Sequence, residues 1–540
     1  MLAATLFLAF VLRAWGITFG LPHRYHIDEP YYVLGALKLA QGEIHLTVPQ
    51  NTPNVWQFIL LGEYGVLYLL GWLAGSFSQP GDLASLYLTD PSVFYIIARV
   101  SSLLAGVATV GLTYWLGKDV FDRQTGLLSA LFLALAFLHA RDSHYAVNDA
   151  FIALLMTFTC YAAVLYLRNG KRHILLLGAL ACGAAIGMKY RPVTFVLPLL
   201  LAVLWRDGQE GILSTSSIRR IYLPLAGGLA LGFLVGFPGV ILNTAVFLHH
   251  VRAAIEQAGI SGGGQGGGIR PATISNAWLL LVGVGLPMLI AAVVGLGLSL
   301  GTLRREPRLL FLTGVAYYAL IAVVRPHLIR YTLPLLPLLA VFAAFAVRSV
   351  LIRIRDWRPA WVGPSAVVLS LLVVGIPLAN TVRHDYLLTQ VDTRTLAKKW
   401  IEENVPAGSK IALDWPVHGP PLSTANDPEP QSRATYELFM VGLSGLSEYP
   451  LQYYRDQGFD YLITSSFISN IQQVDSHRRG FYASLDRELE MVRAFWPNKG
   501  SAEPPYIFDE IYGPLVSQWQ RERPGPVLKI YKVSKPVSTR

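Results

Sequence analysis

The acidic pair Asp28-Glu29 is followed at once by Pro30 and an amphipathic stretch, Tyr31–Gln41. Pro30 suits the first turn of a helix, where its missing N–H would have no partner anyway, and Asp28 is placed to cap that helix. Capping accounts for one reading of the pair. The other is a carboxylate held at a membrane surface as a general base, able to take a proton from a hydroxyl. A second concentration of ionisable groups reads Arg141-Asp142-Ser143-His144-Tyr145-Ala146-Val147-Asn148-Asp149. Asp149 could again serve as a cap, but a plain turn does not need a guanidinium, two carboxylates and an imidazole. The cationic positions are Arg99, Lys189-Tyr190-Arg191-Pro192 and Arg325-Pro326-His327 with Arg330-Tyr331. Either these cations anchor lipid headgroups, or together they form a phosphate site. In the second case their charge would stabilise a departing phosphate as negative charge develops on it.

The elements that must position these groups are membrane spans. The chain has 540 residues, of which 53% are hydrophobic and 14% charged; an ordinary soluble domain is about 25% charged. Leu223–Phe247 and Ile274–Thr302 contain no ionisable group, and a hydrocarbon core is crossed by roughly 20 apolar residues. Lipid offers the backbone no partners, so such stretches are helical. Spans are expected near 2–20, 92–116, 124–140, 150–167, 173–188, 192–205, 222–243, 276–301, 308–324, 329–347 and 361–380. This is a polytopic all-α membrane domain of about eleven helices over 1–380. Met1–Gly20 lacks a charged start and a small-residue cleavage site, so it reads as a retained first span.

Under this arrangement one side receives Lys118/Arg123, Arg168/Lys171/Arg172, Arg206/Arg219/Arg220, Arg304/Arg305/Arg308 and Arg348/Arg353/Arg355/Arg358. Basic loops stay in the cytoplasm. The amino terminus is therefore expected on the cytoplasmic side of a cell membrane. The loop at 21–91, the glycine-rich loop at 244–275 and everything after residue 380 are expected outside. Trp56–Ser76, interrupted by Glu63, is read as a helix at the outer interface, since counting it as a span would invert every later basic cluster. The net charge of +10 is this topology signal and does not point to nucleic acid. Cys160 and Cys182 lie in apolar segments and read as buried small residues.

The segment 381–540 differs in composition. Lys410–Asp414, Tyr461–Thr464 and Val527–Val533 read as strands, Thr395–Asn404 and His477–Val492 as helices. Together they make an extracytoplasmic α/β domain. The glycine run 262–268, broken only by Gln265, has no following Lys-Ser/Thr and is not a phosphate loop. With Arg252 and Arg270 beside it, it is expected to act as a lid.

With these residues in view, the chain resembles the C-type-fold membrane glycosyltransferases of the protein O-mannosyltransferase and aminoarabinose-transferase-like superfamily. Asp28-Glu29 looks like that family's acidic motif. Asn51–Gly75 is similar to its following interface helix, although Thr52-Pro53-Asn54-Val55 stands where a His-Pro-Pro-Leu or Lys-Pro-Pro-Leu is usual. Ala98-Arg99 through Gly106, Ser143-His144-Tyr145 with Asp149, Met188-Lys189-Tyr190, and Arg330-Tyr331 with Pro334 and Pro337 resemble later motifs. The resemblance implies a polyprenyl-phosphate-linked sugar as donor and a hydroxyl acceptor on protein, lipid or glycan. It implies Asp28 as base with Glu29 assisting, and Arg99, Lys189, Arg191 and Arg330 at the donor phosphate. Arg141, His144, Asp149, Tyr190 and Tyr331 would position donor or acceptor. A divalent metal ion, if one takes part, would use Asp28, Glu29 and Asp149. The competing class is a secondary transporter or lipid flippase, which concentrates charges near the bilayer midplane and often carries inverted repeats. No internal repeat is visible here.

Overall fold

The computed structural model describes residues 1–42, 54–207, 218–242, 272–302, 304–323, 328–414, 417–428, 430–442, 444–472 and 476–533, with isolated positions between 244 and 252. The chain divides into two compact units. One comprises Met1–Ile17, Tyr31–Leu67 and Ile96–Val382; the other comprises Thr18–Pro30, Tyr68–Tyr95 and Arg383–Arg540.

The helices run α1 (Leu2–Ala14), α2 (Glu29–Ala40), α3 (Val55–Leu73), α4 (Gly81–Thr89), α5 (Ser92–Val120), α6 (Arg123–Ala134), α7 (Phe137–Asp142), α8 (Asp149–Asn169), α9 (Arg172–Met188), α10 (Val196–Asp207), α11 (Leu223–Gly236), α12 (Ala272–Val284), α13 (Leu286–Leu300), α14 (Arg305–Val323), α15 (Leu336–Trp357) and α16 (Val362–Leu388). Among the described residues, six helical segments are long and apolar enough to cross a membrane, or seven if α12 and α13 count as one span. The expected number of about eleven thus meets fewer unbroken helices. The reasons are local. The first span was expected to residue 20, but α1 ends at Ala14 and the chain then turns, with Gly16 and Gly20 at positive φ. The span expected at 276–301 is two helices bent by 109° at Gly285, whose φ is +80°, with Pro287 two residues on. The segment expected at the interface is one 19-residue helix, α3, whose length and composition suffice to cross.

The span expected at 124–140 also breaks, between α6 and α7. A break frees backbone carbonyls, which have no water to bond in an apolar interior. Arg13 of α1 supplies the donors. Its fully buried guanidinium reaches Ala134 O at 3.2 Å, Leu133 O at 3.4 Å and His139 Nδ1 at 2.8 Å.

Helix α9 is locked against α11 by glycines. A Cβ at Gly183 would stand 2.1 Å from Leu229 O, and one at Gly236 would stand 2.3 Å from Ala184 O. Small residues let helix backbones touch, and this contact replaces the hydrophobic drive that lipid cannot provide. The position of the residues just beyond the end of α9 is fixed as a result.

In the second unit the C-terminal region forms a five-stranded sheet of order β2-β1-β3-β5-β4. The strands are β1 (Lys410–Asp414), β2 (Glu437–Val441), β3 (Tyr461–Ser465), β4 (Glu490–Phe495) and β5 (Leu528–Lys532). β1 pairs in parallel with β2 and β3, whereas β5 runs antiparallel to β3 and β4. The α/β class of this region agrees with its sequence pattern. Two details differ. β2 has no counterpart in the sequence reading, and the helix expected at 477–492 ends at Glu488, so that residues 490–495 form β4. One sheet face is covered by Tyr454, Phe481 and Leu485 over Ala412, Leu462 and Tyr531; the other by Ile401 over Ile411, Ile463 and Ile530.

Candidate active site

α8 and α9 are consecutive helices reversed at Gly170, which takes the left-handed conformation (φ +67°) that glycine adopts without strain. The start of one helix therefore lies beside the end of the other, and residues far apart in sequence meet. Asp149, the first residue of α8, contacts Lys189, which follows the last residue of α9, at 2.5 Å. A carboxylate at a helix start is favoured by the helix dipole. Pro192 then sits at the opening of a 3-10 turn, Arg191–Phe195, where its missing N–H costs nothing. That turn aims Arg191 at Tyr331, with the guanidinium 3.3 Å from the ring centroid. Arg330 approaches the same ring at 5.9 Å. Arg330 and Tyr331 lie in a second 3-10 turn, Ile329–Leu335, that leads into α15. Tyr317 of α14 pins this turn by donating its hydroxyl to the Tyr331 carbonyl at 2.8 Å.

These side chains line one cleft, with Ile152, Pro192 and Pro334 as its apolar wall. Three cations, Lys189, Arg191 and Arg330, face one carboxylate, Asp149. Asp149 Oδ2 and Arg191 Nε are buried and have no hydrogen-bond partner among the described residues. Lys189, Arg191 and Arg330 are the basic residues of its lining and Asp149 the acidic one. The cleft is a cationic site with a flat, ring-backed guanidinium, a shape that suits the oxygens of a phosphate.

Of the residues expected from sequence, Asp149, Lys189, Arg191, Arg330 and Tyr331 are thus brought together. The others are placed differently. Tyr190 is 38% exposed and does not line the cleft. Arg99 is fully buried and donates to the Ile17 carbonyl at 2.7 Å. Arg141 pairs with Asp142 at 2.8 Å, both buried. His144 is buried with Nδ1 2.9 Å from Ala140 O and Nε2 3.1 Å from Trp15 O. Helix α5 holds this loop closely: Ser102 Oγ donates to Val147 O at 2.7 Å, and a Cβ at Gly106 would stand 2.4 Å from Ser143 Oγ. Arg325, Pro326, His327, Arg270, Thr52, Pro53 and the glycine run lie outside the described residues.

Asp28 and Glu29 belong to the unit that contains the C-terminal sheet. The helix begins at Glu29 with Pro30 second, as the sequence predicts; Glu29 is fully buried and Asp28 half-buried. The Asp28 N–H donates to His26 Nδ1 at 3.3 Å. The segment before them is gripped by Arg394, at the start of the helix Thr393–Asn404. Arg394 is oriented by both oxygens of Asp392, at 2.9 and 2.8 Å. It donates to Tyr25 O at 3.1 Å and lies 4.0 Å over the Tyr25 ring, while the Tyr25 hydroxyl meets Thr395 Oγ1 at 2.6 Å.

At Asp149 a divalent cation would have Oδ2 as its open ligand atom. One carboxylate oxygen already holds the Lys189 ammonium, and two guanidiniums share the cleft. Positive charge so placed opposes a second cation. The sequence reading missed Tyr317 and Arg394. Tyr317 sits in an apolar span with nothing to distinguish it. Arg394 had one signal, the Asp392-Thr393-Arg394 start of a helix, where the arginine follows the cap.

Residues 66–252 match the family model of the dolichyl-phosphate-mannose-protein mannosyltransferases. Among solved structures, the Archaeoglobus fulgidus oligosaccharyltransferase tethered to an acceptor peptide aligns with TM-score 0.52 and 11% identity over 93% of this chain and 73% of that chain. Its apo form aligns with TM-score 0.51 and 11% identity over 87% and 69%. ArnT from Cupriavidus metallidurans bound to undecaprenyl phosphate aligns with TM-score 0.49 and 14% identity over 91% and 96%. No curated protein matches the sequence.

Proposed function

We infer, from a chain that shares the C-type glycosyltransferase fold and matches a mannosyltransferase family over 66–252, a membrane enzyme that moves a sugar from a polyprenyl-phosphate donor to a hydroxyl acceptor. The observation that carries this reading is the cleft in which Lys189, Arg191 and Arg330 surround a single carboxylate. A lipid-linked donor presents its phosphate at the headgroup level, which is the level expected for span ends such as Lys189 and Arg330.

In this reading the bond between the sugar anomeric carbon and the phosphate oxygen breaks as the acceptor oxygen bonds to that carbon. The acceptor proton passes to Asp28, Glu29 holds Asp28 in place, and the polyprenyl phosphate leaves with its charge spread over the three cations. Asp149 keeps the Lys189 ammonium in position. Arg99, whose guanidinium donates to the Ile17 carbonyl, is a further candidate for the donor phosphate. The basic clusters at the other span ends support a cytoplasmic amino terminus and chemistry on the outer face of the cell membrane. The sugar is a hexose or pentose, and the acceptor a protein, lipid or glycan.

The test is Asp28→Asn in the purified full chain. It should abolish transfer while the protein still inserts and melts as the wild type does. Normal turnover would remove Asp28 as the base. Reconstituted vesicles address the transport alternative: sugar transfer without net movement of lipid or sugar across the bilayer identifies an enzyme.

A further inference from the structure

Three buried polar atoms around the start of α8 have no hydrogen-bond partner among the described residues: Trp56 Nε1, Asn148 Nδ2 and Asp149 Oδ2. Their residues are 1%, 0% and 6% exposed. Buried side-chain polar atoms are nearly always bonded, so three such atoms on neighbouring elements call for partners from outside the protein chain.

The neighbourhood is defined by packing. Asn148 is the cap of α8 and Asp149 its first residue, yet the Asn148 side chain makes no cap bond. Its Oδ1 instead accepts from the Tyr32 hydroxyl of α2 at 2.9 Å, which turns the amide NH2 away as a donor. The Trp56 ring stands 5.7 Å from that of Phe151, in the first turn of α8. Trp56 is itself fixed. Its backbone N–H donates to Asn54 Oδ1 at 3.0 Å, Asn54 N donates to Gln57 Oε1 at 2.8 Å, and Gln57 Nε2 reaches Tyr31 O at 3.4 Å. Helix α3 and the start of α8 thus supply two donors and one acceptor, braced by hydrogen bonds to Tyr31 and Tyr32 of α2.

We propose that Trp56, Asn148 and Asp149 form a subsite that reads the hydroxyls of the donor's sugar. Each sugar hydroxyl both donates and accepts, so a hydroxyl-rich ring complements an indole N–H, an amide NH2 and a carboxylate oxygen. The donor is favoured over the acceptor because the other oxygen of Asp149 holds Lys189 in the cationic cleft, and sugar and phosphate are joined by a single bridging oxygen. A site built to bond hydroxyls discriminates strongly against ligands that lack them, since its own polar atoms are then left unpaired. The proposal rests on the phosphate reading of the cleft.

The test measures binding of undecaprenyl phosphate and of undecaprenyl phosphate carrying mannose, glucose or arabinose to the full chain in nanodiscs. Wild-type protein should bind one sugar-loaded lipid more tightly than the bare lipid. Trp56→Phe removes the N–H and keeps the ring. Asn148→Leu keeps the shape and adds no charge, removing the NH2 together with the acceptor for Tyr32. Each should weaken the sugar-loaded lipid by about tenfold and change the bare lipid by less than about twofold. Because the two substitutions lie on different helices, a folding defect in one leaves the other as the test. Equal losses for both lipids, or no loss, would overturn the subsite and leave the phosphate reading intact. An unchanged donor affinity with a raised KM for acceptor would assign the hydroxyls to the acceptor and sink the proposal. If Lys189→Met binds bare lipid as tightly as wild type, the phosphate reading fails and the subsite falls with it.

Discussion

The charged groups around Glu510 in the C-terminal unit and those around Asp149 in the membrane unit are built differently. In the C-terminal unit, Glu510 accepts hydrogen bonds from the backbone of Leu515, Val516 and Ser517 and from Ser517 Oγ, and pairs with Arg521 at 3.4 Å. Asp392 and Arg394 engage each other through both carboxylate oxygens. In the membrane unit, three cations share one carboxylate, and Asp149 Oδ2 and Arg191 Nε have no partner among the described residues. A self-satisfied cluster holds the fold. The second leaves a carboxylate oxygen and a guanidinium nitrogen without a partner among the described residues. The comparison teaches that counting buried ion pairs does not find a site; counting what each charge still lacks does.

The largest effect that would break this contrast concerns Glu510. Removing one partner of a buried, hydrogen-bonded pair costs about 3–5 kcal/mol. Glu510→Ala should therefore destabilise the C-terminal unit by that amount in thermal or denaturant unfolding of the full chain. A change below about 1 kcal/mol would mean the cluster is not structural. Lys189→Met should do the reverse. Turnover should fall by about a hundredfold, with a melting temperature close to that of the wild type, because the Lys189 side chain is partly exposed. Steady-state assay beside calorimetry separates these outcomes.

Asp414 sharpens the comparison, since even a well-partnered carboxylate titrates when it is buried. Burial pushes its carboxyl up to about 6, against hydrogen bonds from Ser465 N, Leu446 N and the Tyr482 hydroxyl. In an unfolded chain an aspartate titrates near 3.9. The folded state therefore holds the proton more tightly. The stability that protonation contributes is complete below about pH 4 and is lost as pH rises through about 6, on the order of 3 kcal/mol. Asp414→Asn should flatten the stability profile across that window. A dependence that survives the substitution would assign the titration elsewhere. The smallest predicted effect is at Arg191. Arg191→Lys keeps the charge and loses the flat stack on Tyr331, so donor KM should rise about tenfold with little change in folding.

Much of this was legible in the sequence where a single rule governed the outcome. α8 and α9 begin and end within two residues of the expected spans, because charged or capping residues bound each apolar run. Lys189, Arg191 and Arg330 announced themselves as cations at span ends, and their convergence follows from helices that run back and forth. The breaks were hidden for the opposite reason. Either side of Gly285 is equally apolar, so only the Gly-Leu-Pro step marks the 109° bend. β2 is a short edge strand whose pattern of exposure does not alternate, and β4 follows its helix with only Leu489 between them. Arg99 and His144 carry chemically suggestive side chains, yet the structure gives both backbone carbonyl partners. In an apolar interior every polar group must find a partner, and sequence names the group without naming the partner.

The most direct measurement of the central claim is consumption of a defined donor. The purified protein is incubated with a panel of undecaprenyl- and dolichyl-phosphate sugars and a membrane extract as acceptor source, and released lipid phosphate is followed by mass spectrometry. The account predicts that one sugar donor is consumed by the wild type and that consumption collapses when Lys189 and Arg191 are both replaced by methionine. Undiminished consumption by that double variant, or no consumption of any donor by the wild type, would contradict it.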